Sequence, residues 1–359
     1  LFQIYLENSK YKDRVQVVGV TGTNGKSTAV TLLHHIFEKN NIPCSLVGNI
    51  GKSIFSSKEL KEGVYIMEIS SYQLENSNSF SPDYACILNL SSDHIDRHGN
   101  IKKYASEKLK IFQNLNSNQY GIVNLNHKEL KNGIKKLPKL IKKRIINIDF
   151  QNKFFLFHDV SKKTTIKKTI INFRILNHHL SGDHSDQNIF ITVKISELLG
   201  LNRSKILNAV ESFKGLEHRQ ELVLSNNRIT IINDSKATNF ESLITALKNY
   251  KNVYLICGGL AKDNNIKVLN KYTNQLVMVF VIGLNENPFF NYFNERTKTY
   301  YVKNLSDAVR MALLSVKDSK SKSTILFSPG AASFDQFKNF EVRGEKFKKL
   351  IKFNKTYAG

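Results

Sequence analysis

From Thr21 to Thr28 the chain reads Thr-Gly-Thr-Asn-Gly-Lys-Ser-Thr, and the apolar run Val15 to Val20 leads straight into it. A strand, a glycine loop and a helix start in that order are phosphate chemistry. Gly22 and Gly25 let the backbone come close to a ligand, so successive amide N–H groups of a loop that also holds Thr23 and Asn24 converge on phosphate oxygens at a helix N-terminus. Lys26 then reaches the β and γ phosphates, and the Ser27 or Thr28 hydroxyl faces magnesium. One departure stands in the loop: Val20 occupies the place where the general pattern has its first glycine. A second apolar run, Val64 to Met67, ends in Glu68, and a third, Ala85 to Leu90, runs into Ser91-Ser92-Asp93-His94-Ile95-Asp96-Arg97-His98. A carboxylate and an imidazole at the ends of parallel strands beside a phosphate loop suit a metal-bound phosphate, so Glu68 and His94 join the site.

Those residues need a scaffold that brings strand ends to one edge. Short apolar runs alternate with helix-like segments along the whole chain, which argues for α/β architecture with parallel sheets and crossover helices. A first block carries expected strands at 15–20, 64–69, 84–90 and 120–124, expected helices at 26–40 and 101–115, a β-like meander at 145–180, and closing helices at 188–199 and 205–213. A second block carries expected strands at 229–232, 253–257, 276–282 and 324–327, with helices at 240–250, 306–316 and 335–347. A hinge is placed around Lys214 to Leu216, and no internal repeat is apparent.

Composition sets the limits. The chain has 359 residues, of which 53 are Lys or Arg and 30 are Asp or Glu, a formal charge of +23. Its 41% hydrophobic and 23% charged residues exclude a disordered or low-complexity polymer. No apolar run reaches the ~20 residues of a membrane-spanning helix. The cysteines Cys44, Cys86 and Cys257 lie far apart and form neither a disulfide framework nor a zinc pair, which fits a reducing cytoplasm. The basic excess raises nucleic acid as a partner. It is diffuse, though, and its densest part, Lys131 to Lys168, reads as the solvated edge of a sheet without any recognition motif.

Six further motifs occur in order: Gly48-Asn49-Ile50-Gly51, Glu68-Ile69-Ser70-Ser71-Tyr72-Gln73-Leu74-Glu75, Asp93-His94-Ile95-Asp96-Arg97, Gly215-Leu216-Glu217-His218-Arg219, Asn233-Asp234-Ser235-Lys236-Ala237-Thr238-Asn239 and Ser333-Phe334-Asp335-Gln336-Phe337. With the phosphate loop, they resemble the Mur ligase family of ATP-dependent amide-forming enzymes, over nearly the whole chain from Val15 onward. The resemblance implies a central P-loop-type ATP-binding domain with a mainly parallel sheet, at 15–214, and a C-terminal Rossmann-like α/β domain that binds the amino acid, at 215–359. Residues 1–14 would be the remnant of an N-terminal domain and its linker.

The resemblance also implies roles. ATP and two magnesium ions are the cofactors, one ion against Ser27 and Glu68, the other against His94 and Lys108, the latter carbamylated. Lys26, Glu68, His94 and Lys108 form the catalytic group. Asn188 contacts adenine, and Arg219, Asp234 and Lys236 make the other nucleotide contacts. Asn49 and Ser70 hold the muramoyl substrate. Thr238, Lys262, Ser333 and Phe340 form the pocket for the carboxylates of D-glutamate, and a lysine with hydroxyls suits a dianion. The implied substrates are the small molecules UDP-N-acetylmuramoyl-L-alanine and D-glutamate, joined through an acyl phosphate in peptidoglycan synthesis by a cytoplasmic monomer, without nucleic acid or membrane. Departures from the family pattern fall at Ser185, where an adenine-side asparagine is usual, at Leu260-Ala261, and at Gly330-Ala331-Ala332. Two alternatives stand beside this reading: another ligase of the superfamily, such as a folylpolyglutamate synthase, and a P-loop ATPase acting on nucleic acid. By its residues alone, Lys108 reads as an ordinary solvated helix lysine.

Overall fold

The computed structural model describes residues 2–51, 53, 55, 58–91, 95–151, 154–159, 165–170, 180, 183–261, 265–283, 288–317, 319 and 321–354. The chain divides into two compact units, Leu1–Lys214 and Gly215–Gly359. His94 and Lys262 lie outside the described residues.

In the first unit, β1 (Val15–Thr21), β2 (Cys44–Gly48), β3 (Gly63–Glu68), β4 (Tyr84–Ile87), β5 (Tyr120–Val123), β6 (Ile145–Gln151), β7 (Phe154–Asp159) and β8 (Thr165–Ile170) form one sheet. Its order is β2-β3-β1-β4-β5-β6-β7-β8. The pairs from β2 to β6 are parallel, and β7 and β8 close the edge antiparallel. β1 lies inside the sheet and is nearly continuously apolar, as a strand covered on both faces must be. Alternate side chains feed two cores: Val18 and Val20 point to one face, Val17 to the other. Helices α2 (Lys26–Lys39), α8 (Asp183–Leu198) and α9 (Arg203–Ser212) pack together on the first face through Ile36, Phe37, Ile189, Phe190 and Val210. On the second face lie α5 (Ile101–Leu109) and α6 (Lys128–Lys136). Short helices α3 (Ser71–Glu75), α4 (Ile95–His98) and α7 (Lys139–Lys142) complete the unit. The N-terminal helix α1 (Phe2–Asn8) packs on it, with Phe2 edge-on to Tyr65.

In the second unit, β9 (Glu221–Ser225), β10 (Ile229–Asn233), β11 (Val253–Gly258), β12 (Leu276–Ile282), β13 (Lys298–Lys303) and β14 (Ser323–Phe327) form a sheet of order β13-β12-β11-β14-β10-β9. All its pairs are parallel except β10 with β9. Helices α10 (Phe240–Asn249) and α11 (Pro288–Asn294) cover one face, α12 (Leu305–Ser315) and α13 (Phe340–Phe353) the other.

Several expectations need correction. The strand expected at 84–90 ends at Ile87, since Asn89 and Ser91 turn back to the phosphate loop. The helix expected at 101–115 ends at Leu109 and tightens into a 3-10 turn at Lys110–Phe112. The helix expected at 335–347 begins at Phe340, where the Asn339 side chain caps it by accepting from the Val342 N–H. The basic stretch is not one sheet edge. Its first lysines lie on α6 and α7, and among the described residues of the stretch Lys167 and Lys168 stand on the edge strand β8. Strands β2, β9 and β13 had no expected counterpart. They are short edge or near-edge strands with half-buried, mixed patterns.

Candidate nucleotide and substrate site

The C-terminal ends of β1, β3 and β4 meet in register. Val20 is level with Glu68 and Cys86, and Thr21 with Ile87. The loop leaving β1 enters α2, whose N-terminus has Gly25 at φ +79° and no side-chain cap. Gly25 is required there twice, because Asn188 packs so closely that a Cβ would strike its carboxamide. Asn188 is 4% exposed, and its Oδ1 is buried without a hydrogen-bond partner.

Two lysines converge on the loop. Lys26 Nζ donates to the Gly22 and Thr23 carbonyls at 3.0 and 2.8 Å, and Lys108 Nζ donates to the same Gly22 carbonyl at 2.9 Å. Lys108 is 1% exposed and sits 4.4 Å over the Tyr104 ring, which overturns the solvated reading of that residue. A signal for it exists in the sequence: Tyr104, Ala105, Lys108 and Leu109 form one buried helical stripe. Two ammonium groups on one neutral acceptor bring positive charge to this loop, of the kind that attracts a polyanion.

Glu68 closes the β3 end and is 2% exposed. Its Oε1 accepts from Asn49 Nδ2 at 3.0 Å, while Oε2 is buried with no hydrogen-bond partner. Asn49 is held by its own N–H to the Glu68 carbonyl at 2.9 Å. Gly48 makes this approach possible: it stands at φ +102°, and a Cβ would collide with the Glu68 carbonyl. A buried carboxylate oxygen without a donor, one residue level from the phosphate loop that carries the buried Ser27, fits a hard cation. Ser70 caps α3 in a capping box with Gln73, so its hydroxyl has a structural use whatever else it touches.

In the second unit the expected residues cluster at the ends of β10 and β14. Asp234 follows β10, is 5% exposed, and accepts from Ser328 Oγ at 2.8 Å and the Gln220 N–H at 3.1 Å. Burial pushes its carboxyl up to about 7, against the opposing pull of those two hydrogen bonds and of Arg219 and Arg343. Lys236 Nζ lies 4.9 Å over the Phe340 ring. Thr238 follows on the same loop, ahead of α10, and Ser333 is 2% exposed beyond β14. Leu260 pairs with Ala332 through both backbone bonds, which ties the β11 end to the Ser333 loop.

Arg343 was not singled out by the sequence. It is 1% exposed and donates to the Ser235 carbonyl and hydroxyl at 2.7 and 3.1 Å and to the Ala331 carbonyl at 3.1 Å, locking the loop of Asp234 and Lys236 to that of Ser333. Glu217, His218 and Glu345 are the group of acids and histidine that could hold a metal among the described residues. Lys348 already lies there, 3.0 Å from Glu217 and 2.7 Å from Glu345.

Residues 20–195 match the model of the Mur ligase middle domain. The chain is 33% identical to the UDP-N-acetylmuramoylalanine–D-glutamate ligase of Rickettsia prowazekii, an alignment over 97% of this chain and 78% of that protein. The chain belongs to the Mur ligase family. The ligase of the same description from Rickettsia bellii is 32% identical over 97% of this chain and 77% of its own length. In fold, this family member is similar to the MurF ligase from Thermotoga maritima solved in complex with ADP, with a TM-score of 0.61 and 17% identity, covering 94% of this chain and 81% of that one. Among the described residues, no helix is long and apolar enough to cross a membrane.

Proposed function

We infer that this chain is an ATP-dependent ligase that adds D-glutamate to UDP-N-acetylmuramoyl-L-alanine in peptidoglycan precursor synthesis. Similarity to D-glutamate ligases across 97% of the chain is the observation that carries the substrate choice. The alanyl carboxylate takes the γ-phosphoryl group of ATP to give an acyl phosphate and ADP. The amine of D-glutamate then displaces phosphate and loses a proton, and the amide bond is made. No protein nucleophile is needed; the work is positioning and charge.

Lys26 supplies positive charge around the transferring phosphoryl group, and the amides at the start of α2 orient the phosphates. Magnesium, when bound, neutralises phosphate oxygens, and Ser27 with the free oxygen of Glu68 would hold it. Lys108, carbamylated, would supply oxygen ligands together with His94 for a second ion. A carbamate nitrogen keeps one N–H, so the bond to the Gly22 carbonyl is compatible with the modification. Asn49 fixes Glu68, and with Ser70 it faces the muramoyl substrate. Asn188, Arg219, Asp234 and Lys236 bind the rest of the nucleotide; Thr238, Lys262, Ser333 and Phe340 take D-glutamate. The protein acts as a cytoplasmic monomer on small molecules.

The test is phosphate release in the presence of ATP, magnesium, UDP-N-acetylmuramoyl-L-alanine and D-glutamate, with each omitted in turn. Release that depends on both substrates is expected. Turnover with another amino acid and none with D-glutamate overturns the assignment, and stimulation by RNA or DNA instead would favour a nucleic-acid ATPase.

A further inference from the structure

Asn89 lies just beyond β4, outside every motif considered for the site, yet its side chain reaches into the phosphate loop from behind. Its Oδ1 accepts from the Thr23 N–H at 3.1 Å and the Asn24 N–H at 2.9 Å, and its Nδ2 donates to the Asn24 carbonyl at 3.0 Å. The Asn89 main-chain carbonyl accepts from Thr23 as well, at 3.2 Å. Two residues on, Ser91 exchanges bonds with the Thr23 hydroxyl: its N–H donates at 3.0 Å and its carbonyl accepts at 3.3 Å. The carboxamide thus carries the pairing of the β1 and β4 ends on into the loop as far as Asn24, where β1 has ended at Thr21 and α2 begins only at Lys26.

We propose that Asn89 is a positioning residue for nucleotide binding, a brace that fixes Thr23 and Asn24 so that the phosphate-facing donors are those that follow, from Gly25 into α2. The inference rests on the nucleotide reading given above. A loop with glycines at both 22 and 25 has many conformations, and a ligand that had to order it would bind more weakly. Asn89 does that ordering in advance, from a strand whose register with β1 is fixed by four paired positions, Val18 with Tyr84 through Thr21 with Ile87. Neither amide held by Asn89 is then expected to face phosphate.

The experiment compares the full chain with Asn89→Ala and Asn89→Asp by amide hydrogen exchange over residues 21–28, by ADP titration with magnesium, and by initial rates. Asn89→Ala is expected to speed exchange of Thr23 and Asn24 by roughly tenfold or more. It should also weaken ADP binding and raise KM for ATP by about tenfold, while KM for D-glutamate stays within about twofold. Asn89→Asp keeps the acceptor for both amides, so their slow exchange is expected to return. If Asn89→Ala does not fold, Asn89→Ser, whose hydroxyl cannot bridge both amides and bond the Asn24 carbonyl at once, carries the same expectation. Wild-type exchange and wild-type ADP affinity in the alanine or serine variant overturn the proposal alone. A wild-type chain that fails to bind ADP overturns the nucleotide reading and this inference with it.

Discussion

Lys26 and Lys108 meet at the Gly22 carbonyl, and under the proposed function Lys26 brings charge to the phosphoryl group while carbamylated Lys108 holds a metal ion beside it. Replacing either with alanine is expected to lower kcat by roughly a hundred- to a thousandfold, the usual loss for one preorganised electrostatic group, in the phosphate-release assay. Asp234 offers a pH test. Its folded carboxyl titrates near 7 against an ordinary 3.8, so the folded chain binds that proton more tightly than the unfolded chain. The stability linked to it is full below about pH 4 and is lost as pH rises through 7. Asp234→Asn removes that slope, and urea midpoints of variant and wild type measured from pH 4 to 8 should diverge as pH rises; parallel curves would refute the shift. At this scale the sequence was legible where residue type and spacing define a motif, as in the phosphate loop. Arg343 was hidden and Lys108 stood out only through the family resemblance, because a cation on a helix reads as solvated unless its place in an apolar stripe is weighed. Arg343 heads such a stripe with Phe347 and Ile351, and Lys108 continues one from Tyr104 and Ala105.

At the level of elements, strand ends carry the chemistry, and their mutual register decides whether it works. β2 is a short strand with no signal in its apolar pattern, yet it delivers Asn49 to Glu68. Gly48→Ala is expected to cost roughly 1–3 kcal/mol through its positive φ and the Glu68 carbonyl, and to lower activity as well, read from urea unfolding and phosphate release. Phe37 is fully buried on α2, the helix that begins at the phosphate loop. Phe37→Ala should cost about 3–5 kcal/mol in urea unfolding. The central strands and helices were legible, since buried parallel strands read as unbroken apolar runs. Edge strands were not: β9 and β13 take half their pattern from solvent, and tertiary pairing overrides a weak local preference.

For the whole molecule, two units each contain a sheet with helices and apolar clusters on both faces, which is what an autonomous domain requires. Residues 215–359 expressed alone are expected to unfold in one cooperative transition; a chain segment without a sigmoidal urea curve would contradict this. The charge of +23 pointed toward nucleic acid, and the structured sites spend few of those cations.

The shared acceptor at Gly22 reaches beyond catalysis. The Gly22 carbonyl gathers both lysines only in the folded chain, and a nucleotide bound beside it, as the proposed function requires, binds that state alone, so ligand and fold are coupled. Saturation at a hundred times Kd adds about 2.7 kcal/mol to the stability of a chain that binds only when folded. Resistance to proteolysis should then rise with the concentration of either ATP or ADP and fall as added salt weakens phosphate binding.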